Sequence, residues 1–279
     1  MRPVAVVGNL AIDIVEGAPE RVGGGTFHGG RALRLLHTPA RVVTKCATAD
    51  RARLLPPVAA LGLPVASRGG ESTVKFRMHY DGDHRTMEVL ALGDPWTPEE
   101  ARGWVKEALA RVEWVHVAPL LRSDFPAETL RELARGRRLS YDAQGLVRPA
   151  LTGPLVLDAD YDPEVLRHVS VLKLADDEAD TLFGGEPSEA DLRELGVPEV
   201  IVTQGSRGVL VFSRGRIEHV PARPLEGDVD PTGAGDAFSA AYLSARNGGH
   251  APVPSARRAG ALVAGLIAAR DVDDDAEDE

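Results

Sequence analysis

The stretch Asp230-Pro231-Thr232-Gly233-Ala234-Gly235-Asp236, running directly into Ala237-Phe238-Ser239-Ala240-Ala241-Tyr242-Leu243, decides how this chain is read. A glycine-rich turn enters an Ala-rich helix that ends near Arg246, before Gly248-Gly249. Glycines let successive N–H groups converge on one point, and the first turn of a helix leaves its own N–H groups without intrahelical partners. With the helix dipole added, the result is a cradle for an anion. No Lys-Ser/Thr pair follows the glycines, so this is not a Walker-type phosphate loop. Asp236 sits in the same cradle, where a carboxylate can take the proton of a hydroxyl that attacks a phosphoryl group. Taken alone, a Gly-Ala-Gly-Asp run is more often a turn and helix N-cap, with Asp236 merely complementing the dipole.

Outward from that stretch, the chain alternates strand and helix patterns. Val4 to Val7 is an apolar β-branched run closing on Gly8-Asn9, the pattern of a central parallel strand. Further strands are expected at Arg41–Thr44, Glu113–Ala118, Leu139–Ala143, Val169–Leu174 and Glu199–Thr203. Helices are expected at Thr26–Leu36, Pro126–Ala134 and Ser255–Ala269. Asp50–Leu61 reads as a helix that Pro56-Pro57 must break or restart. Thr97-Pro98-Glu99-Glu100 opens another with an N-cap, Pro at N1 and Glu at N3, running to about Ala110. Ser72–Met78 and Arg85–Leu92, flanking Asp81-Gly82-Asp83, form an antiparallel hairpin in an otherwise βα-alternating chain. Such alternation predicts an α/β fold with a mostly parallel sheet, whose ligands bind at the C-terminal strand ends. Asp142 and Gln144 follow one such end and are candidate substrate contacts, or loop caps.

Composition narrows the classes. Of the 42 acids, seven lie between Asp271 and Glu279, leaving 35 against 32 bases and a near-neutral body. That balance argues against nucleic-acid binding, and residues 271–279 are expected as an acidic disordered tail behind a single domain over 1–270. A single Cys, Cys46, excludes an intrachain disulfide. No apolar run is long enough to span a bilayer and the N-terminus lacks a signal-peptide plan, so a cytoplasmic location and no membrane partner are expected.

The seven-residue string with its Ala/Phe helix resembles the C-terminal signature of the ribokinase-like (PfkB) family of small-molecule kinases. That resemblance implies a three-layer sandwich with a mostly parallel central sheet and a small β lid, built here from about 11–24 and 70–95. It implies Asp236 as catalytic base, with the amides of Gly233, Ala234 and Gly235 holding the transferring phosphate. Asp13 and the pair Gly24-Gly25 would bind the acceptor. The family's Asn, four residues beyond the pair, is Gly29 here, leaving His28 or Arg31 as candidate substitutes. Lys173-Leu174-Ala175-Asp176-Asp177-Glu178 resembles the Lys-Pro-Asn-x-x-Glu element: Glu178 matches as an organiser of Mg²⁺ through water, while the Asn is Ala175. Thr203, Gly205 and Gly208 match the nucleotide segment, with Lys173 and Thr232 also on the nucleotide side.

Asp94-Pro95-Trp96, Asp142-Ala143-Gln144-Gly145-Leu146-Val147-Arg148 and the Asn-less Leu172–Ala175 are similar to the inositol-kinase-type branch. The implied activity is ATP-dependent phosphorylation of a small polyol or sugar, with ATP and Mg²⁺ as cofactors. The lid is also a surface through which such proteins can form homodimers. A nucleoside kinase of the same fold and a non-catalytic sugar or nucleotide sensor remain as alternatives.

Overall fold

The computed structural model describes residues 2–81, 84–224 and 233–277, with backbone alone for residues 80, 81, 84, 85 and 267–277. Asp230, Pro231, Thr232 and the hairpin tip Gly82-Asp83 therefore lie outside the described residues. The chain opens with β1 (Val4–Asn9), β2 (Ala11–Val15) and β3 (Arg21–Gly23), then α1 (Gly25–Leu35) and β4 (Ala40–Ala47). After α2 (Arg51–Ala60) come β5 (Val65–Gly70), β6 (Val74–Asp81) and β7 (His84–Ala91). Next are α3 (Pro98–Arg102), α4 (Trp104–Ala108), β8 (Trp114–Val117), α5 (Ala127–Leu133) and β9 (Arg138–Asp142). The middle continues through α6 (Gln144–Val147), β10 (Gly153–Pro154), β11 (Val171–Ala175), α7 (Asp176–Phe183) and α8 (Glu189–Glu194). The last part holds β12 (Glu199–Thr203), β13 (Val209–Ser213), β14 (Arg216–Val220), α9 (Ala234–Asn247) and α10 (Pro252–Glu277).

Nine strands form the main sheet in the order β14-β13-β12-β11-β9-β8-β1-β4-β5. From β12 to β5 every pairing is parallel, while β13 and β14 add antiparallel edge strands. The second sheet, β10-β7-β6-β2-β3, carries the expected hairpin, with Met78 opposite Met87. Parallel strands buried on both faces need apolar residues on both, which is why β1 reads Val-Ala-Val-Val. One face packs under Val105, Leu109, Leu130, Leu133, Ala179 and Leu192, contributed by α4, α5, α7, α8 and the turn ending α4. The other packs under Leu33 of α1, Phe238–Leu243 of α9 and Ala256 of α10. Burying one such leucine contributes about 1.5–3 kcal/mol.

Three local expectations change. The helix expected from Thr97 to about Ala110 is two helices meeting at Gly103, whose φ −91°, ψ −118° is not helical. Its start is as read: Thr97 accepts from the Glu100 amide at 3.2 Å and Glu100 Oε2 accepts from the Thr97 amide at 3.0 Å. By contrast, α2 continues through Pro56 and Pro57. The prolines cannot donate to the carbonyls of Ala52 and Arg53, but both those residues face solvent, where water can replace the missing donors. Finally, the helix expected at Ser255–Ala269 is α10, which runs from Pro252 to Glu277. Extending an existing helix costs far less than starting one.

Candidate active site

β1 ends at Asn9, and the chain turns immediately into the small sheet and back, so Gly23-Gly24-Gly25 crosses beside the C-terminal ends of the large sheet. Each glycine leaves room for something different. A Cβ on Gly23 would collide with the Asp13 carboxylate, which lies over it. Gly24 has φ 100°, and a Cβ there would sit 2.7 Å from the Asn9 carbonyl oxygen. A Cβ on Gly25 would sit 2.6 Å from Asp236 Oδ1 and 2.7 Å from Ala118 Cβ. The triplet therefore keeps space for two carboxylates and one tight backbone crossing, and brings Asp13 and Asp236 to one place.

Asp236 stands in the first turn of α9, whose cap Gly233 is left-handed at φ 74°. The amides of Ala234, Gly235 and Asp236 belong to that turn and have no carbonyl partner inside the helix. Lys173 faces them: a Cβ on Gly235 would lie 3.1 Å from its Nζ. The Lys173 ammonium is buried, 3.4 Å from Asp142 Oδ2 and 3.9 Å from Glu178 Oε2. Those carboxylates hold its pKa above the ordinary lysine value despite burial.

The acids are displaced the other way. Burial first, then the Asp142 charge, pushes Asp236 up to about 7, with Lys173 and Arg148 opposing. Burial raises Asp13 too; His28, Arg21 and Arg148 pull it back, and Asp236 adds to the rise. A carboxyl held near neutrality in front of the first-turn amides of α9 and two cations can accept a proton beside a bound anion.

The family model for pfkB family carbohydrate kinases matches residues 65–275. The chain belongs to that family. Ribokinase of Bacillus subtilis is 29% identical over 165 residues, 59% of this chain and 52% of that protein. The 2-dehydro-3-deoxygluconokinase of Escherichia coli K12 is 30% identical over 186 residues, 62% of this chain and 59% of its own length. The matches thus span little more than half of these relatives. Among solved structures, a pyrophosphate-dependent kinase of the ribokinase family, bound to a pyrophosphate analogue and myo-inositol, superposes with TM-score 0.78 at 26% identity. That match covers 95% of this chain and 94% of the other. Arabidopsis thaliana ribokinase, solved with ribose and ATP, shares the fold at TM-score 0.71 and 20% identity, covering 95% and 92%.

With the family established, the remaining expected residues sort by position. Asp142 is buried beneath the cleft: Oδ1 accepts from the Gln144 amide at 3.1 Å and Oδ2 faces Lys173. It supports the site from below, and Gln144 opens α6 just beyond it. Thr203 spends its hydroxyl on the Leu174 carbonyl at 3.1 Å, tying β12 to β11. Gly208, at φ 107°, turns the chain where a Cβ would strike the Val220 carbonyl, while Gly205 at φ 54° faces open space. Thr232 lies outside the described residues. Gly29 faces Ala240 and Val6, each 3.6 Å from a built Cβ, so it belongs to the contact between α1 and α9.

Two more residues lie near the site: Arg148, which had no role assigned from sequence, and His28, a candidate substitute for the missing Asn. Arg148 was visible only as part of a quoted motif, yet its charge reaches Asp13, Glu178 and Asp236. His28 packs beside Gly233, with Nδ1 2.8 Å from where a Cβ would stand.

The fit to Mg²⁺ is poor on these side chains. Glu178 Oε2 accepts from the Ala175 amide at 2.7 Å and faces Lys173, and its carboxyl is raised by burial to about 7. Among the described residues no group of three or more His, Cys, Asp or Glu could hold a metal ion. A carboxylate capping its own helix beside an ammonium is not a free Mg²⁺ ligand. Also among the described residues, no helix is long and apolar enough to cross a membrane.

Proposed function

We propose that the protein is an ATP-dependent kinase that phosphorylates a hydroxyl of a small polyol or sugar, with Asp236 as general base. The observation that carries this reading is the Asp236 carboxyl, raised to about 7, facing Asp13 across Gly23–Gly25 at the amide-rich start of α9. Asp13 accepts hydrogen bonds from acceptor hydroxyls and holds one against Asp236. That oxygen attacks the γ-phosphorus as its proton passes to an Asp236 Oδ. The bond from phosphorus to the β,γ-bridging oxygen breaks, and ADP leaves. The Ala234, Gly235 and Asp236 amides, with Lys173 and Arg148, stabilise charge on the transferring group without reorganising. No step is routed through a metal.

An inositol-like acceptor is supported by the myo-inositol-bound neighbour and by the Asp142–Arg148 motif. The same neighbour, and a second pyrophosphate-dependent kinase at TM-score 0.78 and 25% identity, support a second reading in which pyrophosphate is the donor. The deciding experiment screens purified protein with inositols, pentoses, hexoses, sugar acids and nucleosides against both donors, following formation of the phosphate monoester by phosphorus NMR. One strong acceptor with ATP establishes the first reading; transfer from pyrophosphate alone establishes the second. Donor binding with no transfer to any acceptor favours a sensor. Association through the small sheet is tested by light scattering.

A further inference from the structure

A hollow of about 630 Å³ lies at the opposite end of the strands, where β8 and β9 begin. Its wall carries Arg2, Arg111, Arg135, Arg137 and Arg138, with Glu113 the acid among them. Two of these cations are neutralised: Arg2 pairs with Glu113 at 3.3 Å and Arg135 with the buried Glu132 at 3.1 Å. Arg137 is not. Its guanidinium reaches the Leu133, Arg135 and Leu109 carbonyls only at 3.4–3.5 Å, and its buried Nε has no partner. Arg138 rests over the Trp114 ring at 5.2 Å from its centroid, a face that leaves the guanidinium edge open. Arg111 is exposed and left-handed at φ 66°, projecting from its turn.

A half-buried guanidinium without a carboxylate carries a desolvation cost that three long carbonyl contacts offset only in part. That cost shows as a lowered Arg137 pKa, caused by burial alone. A second basic hollow, by Arg193 and Arg246, differs: there Arg246 forks onto both oxygens of Glu199.

We propose that the hollow at the start of β8 and β9 is a binding site for a small phosphate-bearing anion, held by Arg111, Arg137 and Arg138. Planar guanidinium forks match phosphate oxygens in pairs, and three such residues lining one hollow favour an anion with at least two negative charges. β9 runs from Arg138 to Asp142, so the hollow is about 13 Å from the catalytic mouth, given ~3.3 Å per strand residue. It is therefore a separate site from the anion cradle of α9.

The test is calorimetric titration of the full chain with inorganic phosphate and, separately, glycerol 3-phosphate, at low ionic strength. Wild-type protein, Arg111→Glu and Arg137→Gln are compared, with Arg148→Gln as a control at the catalytic mouth. Arg111→Glu changes an exposed residue, so a folding failure of Arg137→Gln leaves the test intact. Expected is a site that Arg148→Gln keeps and that both distal variants weaken about ten-fold or more, consistent with losing a charge-assisted contact. Turnover of Arg111→Glu in phosphate-free buffer stays within about two-fold of wild type. Tighter binding of the ester identifies an organic phosphate as the occupant; tighter inorganic phosphate identifies the free ion. Unchanged binding in both distal variants, or no wild-type binding below roughly 10 mM, overturns the proposal.

Discussion

Two clusters of buried charge flank β1, and they are built on opposite terms. Beside the small sheet, Lys45 Nζ donates to the Pro95 carbonyl and to Glu100 Oε2, both at 2.9 Å, and stands 4.8 Å over Trp96. Nearby, Asp94 Oδ2 accepts from the Glu71 amide at 2.6 Å, and Thr73 donates to Asp50 at 2.6 Å while accepting from the Ala47 amide at 2.8 Å. These groups have short, directed partners, and their product is a fixed hinge between the sheets. At the catalytic mouth Lys173 is 3.4 Å and 3.9 Å from its acids, Asp142 Oδ2 lacks a hydrogen bond, and two carboxyls sit near 7. Lys45, Asp94 and Thr73 have short, directed partners, while Lys173 and Asp142 Oδ2 are left short of them.

The largest effect expected from that contrast is at Asp236. Asp236→Asn removes the proton acceptor while keeping shape, so kcat falls about 10²-fold or more with donor affinity retained. Turnover measured with calorimetric donor binding checks both halves, and near-normal kcat would remove Asp236 from the mechanism. Next comes a matched pair. Lys173→Met leaves Asp142 and Glu178 buried without a counter-charge, costing roughly 3–5 kcal/mol and most of the activity. Lys45→Met also breaks a pair, but Glu100 is 24% exposed and can turn to water, so the loss is about 1–3 kcal/mol with kcat within about three-fold. Denaturant melts and kcat on both variants decide it. If Lys45→Met proves the more damaging to kcat, the division between hinge and mouth fails.

A smaller effect is expected at the glycine pair, where the structure shows a packing role beside the expected binding one. Gly25→Ala puts a methyl 2.6 Å from Asp236 Oδ1 and 2.7 Å from Ala118 Cβ, costing about 1–3 kcal/mol by overpacking. A kcat loss of about ten-fold beyond the loss of folded protein is expected once the carboxylate is displaced. The Gly-Gly pair was legible as a motif, and so were the anion-cradle helix, the βα alternation and the hairpin, because each is written in short-range pattern. The space that Gly23 and Gly25 leave for Asp13 and Asp236 was not, since it depends on residues far apart in the chain. Arg148 was hidden for the same reason: nothing local says that its charge reaches three carboxyls. Gly103 was overlooked because apolar spacing continues across it, and the Pro56-Pro57 break was expected because sequence does not show that the affected carbonyls face water.

The finest discriminator is the pH dependence of stability, where the sign is opposite to that of an ordinary paired carboxylate. Asp236 and Glu178 rise from 3.8 and 4.5 to about 7 each, so between those values the folded protein holds protons that the unfolded chain releases. Stability from these groups is full below about pH 4 and drains away as pH rises through 7. Activity moves the other way, because only deprotonated Asp236 can accept a proton, so rate climbs through the same window. Asp236→Asn removes the charged form altogether. Its Tm should match wild type near pH 4 and exceed it at pH 8 by about 2–4 °C, while its rate loses the rise through 7. A variant that is no more stable at pH 8 than at pH 4, relative to wild type, would mean that the mouth carries no stored electrostatic cost. The carboxylate would then be as fully satisfied as the groups around Lys45.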